Sequence, residues 1–157
     1  MKVFRSRSHP GDAPLGLVYA RALVGPLAWS MTSVMIAATA AILEEQDPLP
    51  WVLWVVPLVY ALATAWTVYT LRHTPAEIVF EGSHAGVRSV WDAARTSALR
   101  LDPVHPPRRT MQGLDVPVGR TLYSFAPDEW PGFEQLEKTA FEAARGTEEA
   151  RAARTKR

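Results

Sequence analysis

Hydrophobic and polar positions divide this chain sharply near residue 72. Ala22–Leu43 contains no Asp, Glu, Lys, Arg or His, and neither does Pro48–Leu71; Glu44-Glu45-Gln46-Asp47 separates the two blocks. About 20 apolar residues at 1.5 Å rise cross a hydrocarbon core of roughly 30 Å. Each block is therefore long enough to span a bilayer. The pattern predicts a transmembrane α-helical hairpin over 15–73, with spans at about 22–43 and 49–71. Leu15–Ala20 is apolar enough to extend the first helix into the interface. The loop is short, so the two helices must be antiparallel neighbours.

After Thr74-Pro75 the period changes. A residue before proline avoids the helical region, which ends the second helix there. Ile78 and Phe80 then fall on one face, with Glu77, Val79 and Glu81 on the other, which predicts a strand. Gly82–Gly86 has a turn composition and Val87–Trp91 resumes as a strand, making a β-hairpin. Asp92–Leu101 suits helix or strand equally. Asp102–Arg109, with Pro103, Pro106 and Pro107, reads as loop or edge. Thr110–Val116 and Gly119–Phe125 read as short strands, so four or five strands can be counted. A helix is predicted over 128–145, with Asp128 as N-cap, Pro131 in the first turn and Gly146 as the stop. Phe133, Leu136, Ala140, Phe141 and Ala144 form its apolar stripe.

The resulting map has four parts: a flexible basic tail over 1–14, the hairpin over 15–73, a small cytoplasmic α+β domain over 74–145, and a disordered charged tail over 146–157. The 157 residues suffice for a hairpin and one small domain. Lys2, Arg5, Arg7 and Arg21 precede the hairpin against a single Asp12, and Arg72-His73 follow it; the 44–50 loop holds three acids and no base. Positive flanks stay cytoplasmic, so both termini are expected inside and the loop outside. A cleaved signal peptide ending at Ala38-Thr39-Ala40 is the competing reading, disfavoured by the length of the apolar block.

Trp51 and Trp54 are expected at the outer interface, and Trp66 and Tyr69 at the inner one. Ser33, Ala37 and Ala41, with Ala61 and Ala65, recur at four-residue spacing and are candidate helix–helix contacts. Such a stripe serves either the hairpin itself or another membrane subunit. The absence of charge within the spans argues against a proton relay, an ion path or a histidine-ligated pigment.

Composition removes several functions. A net charge of +1 gives no basic surface for nucleic acid. Zero cysteines exclude disulfides, thiolate metal sites and thiol nucleophiles. His9, His73, His84 and His105 lack metal-ligand spacing, and Asp92, Asp102 and Asp115 are scattered. There is no G-x-S-x-G elbow and no phosphate-cradling glycine loop. No catalytic residue, cofactor or metal is therefore assigned, and an enzyme is not expected. One basic cluster remains: Arg100, His105, Arg108 and Arg109, which either contacts anionic lipid headgroups or is a solvated loop.

Pro75-Ala76-Glu77-Ile78-Val79-Phe80, Gly86-Val87-Arg88-Ser89-Val90-Trp91 and Tyr123-Ser124-Phe125-Ala126-Pro127-Asp128-Glu129-Trp130 give the chain a layout that resembles the bacterial pleckstrin-homology-like (PH-like) membrane proteins. The resemblance covers roughly residues 15–145 and implies a two-helix anchor, an antiparallel β-sheet or partial barrel, and a C-terminal helix. A complete barrel of that family has seven strands. The family is largely one of binding and scaffolding modules. The expected function is thus a non-catalytic accessory or scaffold subunit, embedded in a lipid bilayer. Its β-domain would dock a protein partner, with another membrane protein or a second copy beside the hairpin. The alternative is a tethered module binding anionic lipid headgroups or a signalling ligand.

Overall fold

The computed structural model of the protein describes residues 1–95 and 97–155. The chain divides into two compact units: Met1–Asp12 together with Thr74–Arg157, and Ala13–His73.

The second unit is a helical hairpin. Helix α1 runs Leu15–Leu43 and α2 Leu49–His73, each with an internal proline, Pro26 and Pro57. The hydroxyls of Ser30, Thr32, Ser33, Thr39 and Thr67 donate to the carbonyl four residues earlier. Few polar groups therefore face outward from these helices. In the connecting turn Glu45 adopts φ 58°, and Asp47 Oδ1 accepts from Leu49 N at 3.0 Å where α2 starts. The two helices pack through Val34 of α1 and Ala63 and Thr67 of α2. The expected small-residue stripe is therefore not the contact inside the hairpin. Ser33, Ala37, Ala61 and Ala65 are exposed, and only Ala41 is half-buried. On α1 the buried position is Val34 and Ala38 and Ala41 are half-buried, a stripe one residue round from Ser33 and Ala37.

The first unit is built on two antiparallel sheets. Its first strand is β1, Lys2–Arg5, followed in the sequence by the whole hairpin. After the hairpin come β2 (Pro75–Glu81), β3 (His84–Ser89) and the short helix α3 (Val90–Ala94), then β4 (Asp102–Pro103), β5 (Arg108–Thr110), β6 (Gly113–Val118) and β7 (Thr121–Phe125). One sheet has the order β1-β2-β3-β4 and the other β5-β6-β7. Among the described residues there are seven strands, above the four or five that periodicity predicts. The β2–β3 turn is only Gly82–Ser83, so Gly86 lies inside a strand rather than in the turn. Val90 and Trp91, expected in the strand, open α3 instead. Ser89 caps it, its Oγ accepting from Asp92 N at 3.1 Å and donating to Asp92 Oδ2 at 2.7 Å.

The N-terminal tail is likewise corrected over 2–5. Lys2 pairs with Phe80, Phe4 with Ile78 and Arg5 with Glu77. Phe4 turns to the core and meets Phe80 edge-on, ring centroids 6.0 Å apart. Beyond the strand, Ser6 N donates to Ala76 O and Arg7 N to Glu129 O, both at 2.8 Å. A basic segment is ordered here because each alternate residue has an apolar or acidic partner across the sheet.

Helix α4 (Phe133–Thr155) starts later and runs further than expected. Gly132 takes φ 78°, so residues 126–132 form turns and Asp128 is not the cap. Those turns drop Trp130 into the core, 1 % exposed and edge-on to Phe125 at 4.9 Å. Gly146 does not stop the helix. Thr147 Oγ1 donates to Ser83 O at 3.0 Å, fastening the extra turns to the β2–β3 turn. The expected charged tail is therefore helical over 146–155, while Lys156 and Arg157 lie outside the described residues. Leu136, Ala140, Ala143 and Ala144 of α4 close the core over Ile78, Val104, Leu114, Val116 and Phe125.

Candidate functional site

Two charged features stand out in the sheet unit, and they share Arg88. The first is a row across the sheet. Glu77 of β2 pairs in register with Arg5 of β1 on one side and Arg88 of β3 on the other. Its carboxylate is 6 % exposed and accepts from Arg5 Nε at 3.1 Å and from Arg88 Nη1 at 3.1 Å. His9 Nε2 lies 3.4 Å from the same Oε2 that Arg5 reaches. A buried carboxylate needs such partners, and here two of the three come from the N-terminal segment.

The second is a cleft of about 980 Å³. One wall is β3 from Gly86 to Arg88; another is the 97–103 segment; the third is the β6–β7 turn with Tyr123. Gly86 lets these walls meet. A Cβ there would stand 2.5 Å from Arg100 O and 2.7 Å from Leu99 Cγ, so only glycine allows residues 99–100 to cross β3. The third wall is joined by main-chain bonds: Gly119 N donates to Pro103 O and His105 N to Pro117 O, both at 2.9 Å. Val104 also bridges to Val118, linking the two sheets beside the cleft. Gly119 makes the turn at φ 60°, closely approached by Asp102.

The cleft is lined by Arg88, Arg100, Arg120 and His105, with Asp92 and Asp102 as its acids. Asp102 accepts from Arg100 Nε at 3.2 Å, and Asp92 is engaged by Ser89. Arg88 Nε is buried without a hydrogen-bond partner.

The four residues of the predicted basic cluster are divided by the fold. Arg100 and His105 line the cleft; Arg108 and Arg109 do not. Arg109 Nε is paired with Glu137 of α4, and Arg108 is exposed on β5 opposite Asp115. Sequence reasoning missed Arg88 and Arg120. Arg120 had a weak signal, a Gly-Arg pair between two short apolar-alternating stretches. Arg88 had none, because its role depends on cross-strand register. Of the expected interface aromatics, Trp51 is half-buried, whereas Trp54, Trp66 and Tyr69 are exposed at 80 %, 63 % and 56 %. Tyr69 stacks on His73 at 4.1 Å. Among the described residues no group of three or more His, Asp or Glu side chains is placed to hold a metal ion.

Comparison with protein-family models, with curated proteins and with solved structures finds no match.

Proposed function

We propose that the chain is a non-catalytic integral membrane protein, an accessory or scaffold subunit whose hairpin anchors a cytoplasmic β-domain that docks a protein partner. The carrying observation is the surface of the two helices. Val24, Trp29, Met35, Ile36, Leu53, Trp54, Leu58, Leu62 and Trp66 are all exposed there. Apolar surface of this extent requires a cover. Within these helices of 29 and 25 residues, the charge-free stretches 22–43 and 49–71, about 33 and 35 Å long, are long enough to cross a bilayer core.

The chain path supports the orientation. The hairpin departs after β1 and returns at β2, which are neighbouring strands of one sheet. Both its ends thus belong to the same domain and lie on the same side of a membrane. Arg7, Arg21 and Arg72 against Glu44, Glu45 and Asp47 favour the cytoplasm as that side.

The domain supports the PH-like reading: seven antiparallel strands in sheets of four and three, closed by a C-terminal helix. It differs from the expected layout in one respect. The anchor interrupts the β-domain after its first strand instead of preceding it.

Impermeant maleimide labelling in intact cells tests the topology. Gln46→Cys should label and Ala150→Cys should not; the reverse pattern overturns the orientation, and extraction by carbonate without detergent overturns the anchor. The subunit reading expects a stoichiometric second protein through size exclusion in mild detergent. A lone monomer overturns it.

A further inference from the structure

We propose that the cleft between β3, the 97–103 segment and the β6–β7 turn binds an organic phosphate, its phosphoryl group held by Arg88, Arg100 and Arg120. The inference concerns the sheet unit alone and is independent of whether the helices span a membrane.

Charge is the first argument. Three guanidinium groups and one imidazole line the cleft against two carboxylates. Asp102 is paired with Arg100 and Arg88 with Glu77, while Asp92 is hydrogen-bonded to the Ser89 hydroxyl. Arg120 is exposed and has no ion-pair partner among the described residues. The lining residues themselves, three guanidinium groups against two carboxylates, carry one net positive charge, which favours an anionic occupant.

The second argument is preorganisation. Glu77 fixes Arg88 through Nη1 at 3.1 Å, while its Nε is buried without an acceptor. A buried donor held in place and left unpaired is unusual, and an anionic oxygen is the group that satisfies it best. The planar guanidinium fork matches the oxygens of a phosphate. A phosphate monoester, with nearly two negative charges and three acceptor oxygens, suits three such forks better than a single carboxylate does.

Size is the third. A cleft of about 980 Å³ is in the range of sites for small molecules and exceeds what a bare ion needs. Val87, Leu99 and Tyr123 supply apolar wall for the organic part. A soluble phosphate ester and a lipid with a phosphate-monoester headgroup offer the same chemistry, so the experiment must separate them.

The full chain is placed in phosphatidylcholine nanodiscs, and hydrogen exchange is followed at 97–103 and 118–123. In one arm glycerol 3-phosphate is titrated; in the other phosphatidate is included in the disc. Saturable protection of both segments in either arm supports the site, and the responding arm names the source. Arg120→Ala should weaken that protection by about tenfold or more, as loss of a charge-assisted fork does. Arg108→Ala, outside the cleft, should leave it unchanged. Unchanged exchange at 75–81 verifies that each variant is folded. Absence of protection in both arms overturns the proposal, as does an unaltered affinity in Arg120→Ala. Equal protection by succinate overturns the phosphoryl assignment.

Discussion

The double substitution Phe4→Ala/Arg5→Ala separates an ordered first strand from a flexible leader. Phe4 is half-buried against the core and edge-on to Phe80 at 6.0 Å. Full burial makes Phe→Ala cost about 3–5 kcal/mol, so half-burial gives about 1.5–2.5 kcal/mol. The Arg5 side chain is 64 % exposed, which limits its ion pair to about 1 kcal/mol even though Glu77 is buried. Together the loss is about 2–3.5 kcal/mol, a large part of the 5–15 kcal/mol typical of a domain. Each 1.4 kcal/mol is a factor of ten in the folding equilibrium, so protection of the slowest-exchanging β2 amides should fall about 30- to 300-fold. Exchange measured on a peptide covering 75–81 reads this directly. Arg7→Ala serves as the control, because Arg7 engages Glu129 only through its backbone. A double variant whose β2 exchange equals that of the parent would refute the pairing of β1 with β2 and restore the flexible leader.

Two other substitutions probe the sheet unit. Gly86→Val puts a Cβ 2.5 Å from Arg100 O and should displace residues 97–101, seen as faster exchange there while 121–125 is unaffected. Trp130→Ala empties the largest fully buried position and should cost about 3–5 kcal/mol, read as greatly increased proteolysis of the sheet unit.

What could be read along the chain followed from how local each signal was. The two apolar blocks, the turn between them, the alternation of Ile78 and Phe80, and the stripe from Phe133 to Ala144 all depend on near neighbours, and all are present. The first strand was hidden because Lys2-Val3-Phe4-Arg5 carries no sheet signal by itself; its partner is over 70 positions away, at 77–80. Strands β4 and β5 hold two and three residues, too few for any period to show. The packing face inside the hairpin was not legible, because the stripe containing Val34, Ala63 and Thr67 mixes small and β-branched residues and lies next to the more uniform small-residue stripe. The cleft was half legible. Arg100 and His105 stood out in a basic loop, but Arg88 and Arg120 join them only through the fold.

The place of the hairpin within the sheet couples the two units through chain connectivity. Pairing β1 with β2 closes a loop of about 70 residues, which in the flexible limit costs about 4 kcal/mol; a loop of about 12 costs about 2. An assembled hairpin brings the ends of that loop together and so shortens the flexible part to the residues flanking α1 and α2. Helix assembly therefore favours strand pairing by roughly 1.5–2 kcal/mol, and strand pairing favours helix assembly by the same amount, as reciprocity requires. The helices meet along a narrow stripe of small and β-branched residues, so this contribution is a substantial one for them. The Arg5–Glu77–Arg88 row sits at the clasp. A change that frees β1 would release α1 at one end while α2 remains joined directly to β2, and it would also withdraw Arg5 and His9 from the carboxylate that fixes Arg88. The same step would thus loosen the hairpin and disturb the wall of the cleft.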